Sequence, residues 1–242
     1  MTPRFAANVS MLFTELPFAE RFDAATAAGF GGVEFWWPEE PVPPGFEVVL
    51  MNFDGGDIAA GERGYLNDPA RWRAHVPVAV GLARSLGCTR MNALVGLDDG
   101  RARSEQLERA ADEVAFAARA AFPITVLVEA INTLDHGPYL ISDTAAAAAF
   151  LQAVGEPNVA LQYDVFHMTR MGEDGVAALR EHIDVVAHVQ IADHPGRGEP
   201  GSGSIDFGAL FALLDELGYT GWVGAEYRPT GRTEDSLGWL KR

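Results

Sequence analysis

Residues 124–130 read ITVLVEA, 158–164 NVALQYD, 185–190 VVAHVQ and 221–226 GWVGAE. Each is a short, nearly continuous apolar run that closes on a polar side chain: Glu129, Asp164, Gln190 and Glu226. Successive members of that set are 35, 26 and 36 residues apart, about one strand plus one helix each time. Continuous apolar runs of this length fit parallel strands buried on both faces. As parallel strands of one sheet they would bring all four side chains out at one rim. Three carboxylates and one amide converging there repel one another unless they hold a cation or share protons.

Similar runs extend outward from these four. Strands are expected at 4–10, 32–36, 47–53, 89–95, 124–130, 159–164, 185–191 and 222–227, with helices between them. Pro17 opens a helix whose inner face is Phe18, Phe22, Ala25 and Ala28, and Gly29 ends it. Ser104 can cap a long helix with Leu107, Ala111, Val114 and Ala118 inward. Ser142 or Asp143 starts an alanine-rich helix that stops at Gly155, and Asp206 starts one that stops at Gly218. Eight strands alternating with helices point to an α/β fold, a (β/α)8 TIM barrel in a single domain over 1–242. A doubly wound open sheet is the alternative, but no glycine-rich nucleotide-binding motif follows any strand.

One repeat is defective. Nine residues separate Trp37 from Glu47, and Pro38, Pro41, Pro43 and Pro44 are among them. A helical crossover needs about a dozen residues, and a proline-rich chain cannot supply one. The second barrel helix is therefore expected to be missing, with 38–46 extended over the outside of the barrel. An apolar patch left bare there would favour a homo-oligomer.

Composition narrows the function. The 242 residues are 48% hydrophobic with a mean hydropathy of +0.02, as in globular chains. No run is long enough for a membrane span, and the N-terminus reads as a strand rather than a signal peptide. Cys88 is the only cysteine, which excludes an intramolecular disulfide and suggests a cytoplasmic protein. The formal charge of −16 opposes nucleic acids and anionic membranes as partners, but not a small anionic substrate.

In such a barrel the site lies at the C-terminal ends of the strands, where Glu129, Asp164, Gln190 and Glu226 stand. Oxygen ligands favour a hard or borderline divalent ion such as Mg²⁺ or Mn²⁺. His167, three residues past Asp164, can reach a substrate oxygen. His188, two residues before Gln190, is expected one layer deeper, hydrogen-bonded in the barrel interior. Arg197, in the flexible glycine-rich loop 193–204, can clamp a carboxylate or bridge to Glu199. Asn8, Asn52 and Asn132 can bond substrate hydroxyls. Trp36, Trp37 and Phe53 can form an apolar wall or belong to the core.

The blocks FAANVSMLFTELPFAERF, VEF, VLVEAIN, QYDVFHMTRM, HVQIADHPGRGEP and LLDELGYTGWVGAEY resemble the hydroxypyruvate isomerase family. That family lies within the xylose-isomerase-like barrels, which include the ketose 3-epimerases. The resemblance implies one divalent ion on Glu129, Asp164, Gln190 and Glu226, glutamine marking the hydroxypyruvate isomerase branch. It implies Glu129 and Glu226 as the acid–base pair, with His167 and Arg197 on substrate oxygens. The expected reaction interconverts hydroxypyruvate and tartronate semialdehyde (2-hydroxy-3-oxopropanoate) through a metal-stabilised cis-enediolate, with Arg197 on the substrate carboxylate. Asp135 falls near a substrate-binding glutamate of the epimerases. The alternatives are an isomerase of four-carbon 2-oxo acids, a ketose 3-epimerase, a metal-dependent hydrolase or DNA-repair nuclease, and a non-catalytic sugar-binding barrel.

Overall fold

In the computed structural model, which describes residues 3–240, eight parallel strands close into a barrel in chain order. They are β1 (Arg4–Asn8), β2 (Gly32–Phe35), β3 (Val48–Asn52), β4 (Arg90–Ala93), β5 (Thr125–Glu129), β6 (Val159–Asp164), β7 (Val186–Ile191) and β8 (Trp222–Ala225). All eight expected strands are present, and pairing of β8 with β1 rules out the open sheet.

Helices cover the outside. They are α1 (Phe18–Ala28), α2 (Pro69–Ser85), α3 (Arg103–Ala121), α4 (Thr133–His136), α5 (Thr144–Val154), α6 (Val165–Arg170), α7 (Gly175–His182) and α8 (Phe207–Glu216). Aspartates cap five of them: Asp68, Asp143 and Asp206 accept from Arg71 N, Ala146 N and Ala209 N, and Asp164 and Asp174 cap α6 and α7 in the same way. Gly29 and Gly155 end α1 and α5 in the left-handed region. Ser104 is not a cap. Helix α3 begins two residues earlier than that cap implies, at Arg103, with Ala102 in the capping position. Gln106 closes the preceding turn instead, accepting from Asp99 N and donating to the Asp98 carboxylate and the Arg101 carbonyl. No helix is long and apolar enough to cross a membrane among the described residues.

No helix joins β2 to β3. The proline-rich segment 38–46 has neither helix nor strand, and its Val42 and Phe46 pack on the core. Phe46 meets Phe22 of α1 at 5.3 Å between ring centroids. Two side chains of the extended segment thus pack on the barrel where no helix is present.

Alternation along the strands decides what fills the barrel. Its N-terminal end is plugged by an apolar cluster that includes Ala6, Leu50, Leu127 and Trp222. Above the plug the interior turns polar, where barrels of this kind are more often filled with branched apolar side chains. Glu34 of β2 is fully buried. Its carboxylate accepts from Gln190 Nε2 (2.7 Å), Asn8 Nδ2 (3.2 Å) and His188 Nε2 (2.7 Å). His188 thus occupies the deep interior position expected of it. Gln162 Nε2 donates to Gln190 Oε1 (2.7 Å) and Glu129 Oε2 (3.0 Å), and Asn92 Nδ2 also reaches Glu129 Oε2 (2.8 Å).

Gly224 on β8 makes room for this network. A Cβ there would lie 2.2 Å from Glu34 Oε2 and 2.5 Å from its carboxyl carbon. Replacing Gly224 with alanine is expected to cost about 1–3 kcal/mol by overpacking, or a fall in Tm of roughly 2–4 °C per kcal/mol. Gly231, whose Cβ would meet nothing within 4 Å, provides the control. Equal melting temperatures for Gly224→Ala and Gly231→Ala would show that the Glu34 carboxyl can be displaced freely.

Candidate active site

Asp164 ends β6 and caps the short α6 that follows directly. Its Oδ1 accepts from Phe166 N (2.8 Å) and His167 N (3.4 Å). Its buried Oδ2 has no hydrogen-bond partner. The turn DVFH therefore spends one carboxylate oxygen on the backbone and leaves the other facing the barrel mouth. The same turn brings His167 back beside it, with Nε2 3.5 Å from Asp164 Oδ2 and 3.8 Å from Glu129 Oε1.

One ligand atom each from Glu129, Asp164 and His167 lies within 4.8 Å of the others, so these buried groups could hold a metal ion. The unpartnered Asp164 Oδ2 fits a cation. His167 fits a donor role better than a ligand role. Asn132 Oδ1 is held by Asp135 N (2.8 Å), so its amide nitrogen faces His167 Nδ1 (2.7 Å). The ring accepts at Nδ1 and carries its proton on Nε2, toward the carboxylates. Burial, with Arg197 and His136 nearby, lowers the His167 pKa well below its ordinary value and keeps the ring neutral.

Glu226 stands apart from that trio. Its Oε1 accepts from Trp36 Nε1 (2.8 Å) and Asn8 Nδ2 (2.9 Å), and its Oε2 meets Arg197 Nη2. Arg197 Nη2 is also 3.6 Å from Asp164 Oδ2, so one guanidinium bridges two of the site carboxylates. Burial lowers the pKa of Arg197, but Glu226, Asp164 and Glu129 outweigh that and raise it. Gln190 reaches the group through Gln162, and its amide is oriented from below by Glu34.

The loop carrying Arg197 is pinned rather than loose. Asp193 Oδ1 accepts from His194 N and Ile205 N, and Oδ2 accepts from Gly201 N and Gly203 N. Arg197 itself adopts φ 55°, a strained position for a residue with a side chain. The bridge to Glu199 does not form, because Glu199 holds Thr230 instead.

Trp36, Trp37, Asn52 and Phe53 line a cavity of about 760 Å³ that also includes Glu129, His167, Arg197 and Glu226. Asn8 and Asn132 orient Glu226 and His167. Asp135 pairs with Arg170. Sequence reasoning missed Glu34, Asp193, Arg63 and Arg228. The one available signal for Glu34 was a lone carboxylate inside the apolar strand GVEF.

Residues 22–242 match the family model for the xylose isomerase-like TIM barrel. The chain is 38% identical to the hydroxypyruvate isomerase of Escherichia coli K12, covering 98% of each chain. It is 39% identical to the 2-oxo-tetronate isomerase of Cupriavidus necator, covering 99% of this chain and 98% of that one. A solved structure from Brucella melitensis, titled AP endonuclease, family 2, superposes with a TM-score of 0.93. It is 38% identical, with 99% of this chain and 98% of that one covered.

Burial pushes the Asp164 carboxyl up to about 7 and raises Glu129 well above the usual carboxylate range, with Glu226 and Asp164 adding to Glu129. Burial also raises Glu226, against the pull of Arg197. Between the ordinary aspartate value of 3.8 and about 7, the folded state binds more protons at Asp164 than the unfolded chain. Stability from this group is therefore fully present below 3.8 and lost as pH rises through about 7. The wild type minus Asp164→Asn difference in Tm, measured without divalent ions, is expected to fall over that window. Mg²⁺ or Mn²⁺ should restore it most at the upper end. Parallel Tm–pH curves for the two proteins would overturn the assignment.

Proposed function

The chain belongs to the xylose isomerase-like TIM-barrel family and is an isomerase of small hydroxy-oxo acids, and from that premise we propose that it interconverts hydroxypyruvate and tartronate semialdehyde. The observation that carries the reading is the pair of buried glutamates facing one cavity from β5 and from the end of β8. Strands β5 and β8 are three positions apart around the eight-strand barrel, so the two carboxylates approach the cavity from different strands and leave room for a planar intermediate between them.

The reaction moves one proton from C3 to C2 and one from the C3 hydroxyl to the former 2-oxo oxygen. A glutamate takes the C3 proton, and the electron pair left behind forms the C2–C3 double bond of an enediolate. A proton returned to C2 leaves the aldehyde at C3. No nucleophile is needed, which suits a site of carboxylates without a serine or cysteine. Glu129 is the better placed to hold a proton, being buried beside Asp164 and Glu226, with its Oε1 free of hydrogen bonds. Glu226 is held on a fixed line by Trp36, Asn8 and Arg197. The Nε2–H of His167 and the remaining N–H groups of Arg197 are the donors for substrate oxygens.

A divalent ion, Mg²⁺ or Mn²⁺ by ligand type, would be held by Glu129 and Asp164 with Gln190 and Glu226, and would supply Lewis-acid polarisation of the substrate oxygens. The residues beneath it keep the carboxylates dry and oriented. A four-carbon 2-oxo acid is the second reading, favoured by a cavity of about 760 Å³ and by the Cupriavidus relative. A nuclease is disfavoured by the −16 charge.

Glu129→Gln and Glu226→Gln are each expected to lower turnover of hydroxypyruvate by about 10²-fold or more, with melting temperatures that show a folded barrel. Wash-in of solvent deuterium at C3 should be lost in parallel. Near-wild-type exchange in either variant would remove that glutamate from the proton transfer.

A further inference from the structure

Three guanidinium groups line the cavity, those of Arg63, Arg197 and Arg228. Arg197 is already committed to Glu226 and Asp164. Arg228 is exposed at the mouth. Arg63 differs from both. It is half-buried on the long loop between β3 and α2. Its Nε donates to His136 Nδ1 (3.0 Å), and its Nη1 donates to the carbonyls of Ile58 (2.9 Å) and Glu62 (2.7 Å). Every acceptor is neutral. No carboxylate lies within ion-pair distance of it, and its Nη2 has no partner, among the described residues.

That isolation is informative in a chain with 34 acidic and 18 basic side chains. Carboxylates are plentiful on this very loop, yet each is turned elsewhere. Asp54 holds Gly56 N and the Tyr65 hydroxyl, Asp57 caps Ala60 N, and Glu62 pairs with Arg71. A half-buried cation is left beside a second cation, Arg197, whose charge acts on it. His136 supports Arg63 as a neutral ring: burial and the three arginines hold its pKa down to about 4. Such an arrangement is costly unless an anion completes it. The His136 ring meets that of His167 edge to face, 5.2 Å between centroids, so the unfilled donor lies one side chain out from the proton-transfer centre.

We propose that Arg63, and not Arg197, receives the carboxylate of the substrate, and that it selects 2-oxo acids over uncharged ketoses. This rests on the proposed function for the identity of the substrate. The substrate class is a short monocarboxylate with a carbonyl next to the carboxylate and a hydroxyl on the following carbon. Arg197 then serves to offset Glu226 and Asp164, and the fork of Arg63 supplies the charge that the acid brings its own counterpart to.

The test is calorimetric titration of the divalent-ion-loaded protein and of Arg63→Gln with pyruvate and with hydroxyacetone, in which a hydroxymethyl group replaces the carboxylate. Deuterium exchange at C3 of hydroxypyruvate is measured alongside. In Arg63→Gln, pyruvate binding and the KM for hydroxypyruvate are expected to weaken by about tenfold or more, while hydroxyacetone binding stays within about twofold and kcat changes little. Unchanged pyruvate affinity, or equal loss for both probes, would overturn the assignment, the latter by showing that Arg63 only shapes the loop. If the wild type binds pyruvate through Arg63 yet exchanges no deuterium, the subsite stands and the isomerase reaction falls. If the variant exchanges at wild-type KM, the reaction stands and the subsite falls.

Discussion

The Glu34 carboxylate, fully buried near the barrel axis, is the constraint on which the site depends. A carboxylate there is tolerated only where donors surround it. Asn8, His188 and Gln190 provide them from β1 and β7. Two of those residues have a second task. Asn8 also holds Glu226, and Gln190 is tied through Gln162 to Glu129. The same few hydrogen bonds that settle a charge in the middle of the barrel therefore fix both glutamates at its mouth. Because the interior is polar, the orientation of the rim residues is inherited from below rather than left to their own rotamers.

Charge is divided between levels. At the mouth, Glu129, Asp164 and Glu226 face one arginine, and a cation fits the oxygen that remains unpartnered. Farther out, Arg63 and Arg228 face the cavity without a carboxylate in ion-pair contact among the described residues. A small acid entering from an acidic surface thus meets positive charge at the mouth before it reaches the buried carboxylates. The loops that create this gradient are stiffened locally: Asp193 gathers four backbone N–H groups around itself, and His75 Nε2 accepts from Asp54 N at the root of the Arg63 loop.

The strands, the absent helix and the aspartate caps were legible because they are local. Apolar runs, four prolines in nine residues, and Asp143 or Asp206 before a helical face need no knowledge of the rest of the chain. The rim positions of Glu129, Asp164, Gln190 and Glu226 were legible as well, because strand ends are set by the same runs. Glu34 was not, since its partners lie 26, 154 and 156 residues away and nothing in GVEF announces them. Ser104 misled because a cap is decided by where the preceding turn closes, and the turn held by Gln106 puts the cap two residues earlier, at Ala102. Arg63 and Asp193 sit in irregular loops whose shape follows from hydrogen bonds rather than from periodicity.

The contact between Gly224 and Glu34 also acts as a counting device for the closed sheet. A barrel is defined by its number of strands and by the stagger accumulated around them, and an error of stagger can spread over several strand pairs without an obvious local clash. Here it cannot. Gly224 pairs with Ala6 and Gln190, and the volume where its side chain would be holds the carboxyl of β2. Its chain neighbours are Val223 and Ala225, so a slip of β8 by one residue would bring a side chain against Glu34 or turn the strand's faces over. The missing side chain of one glycine thus ties the register of β8 to a carboxyl on β2, two strands away around the barrel.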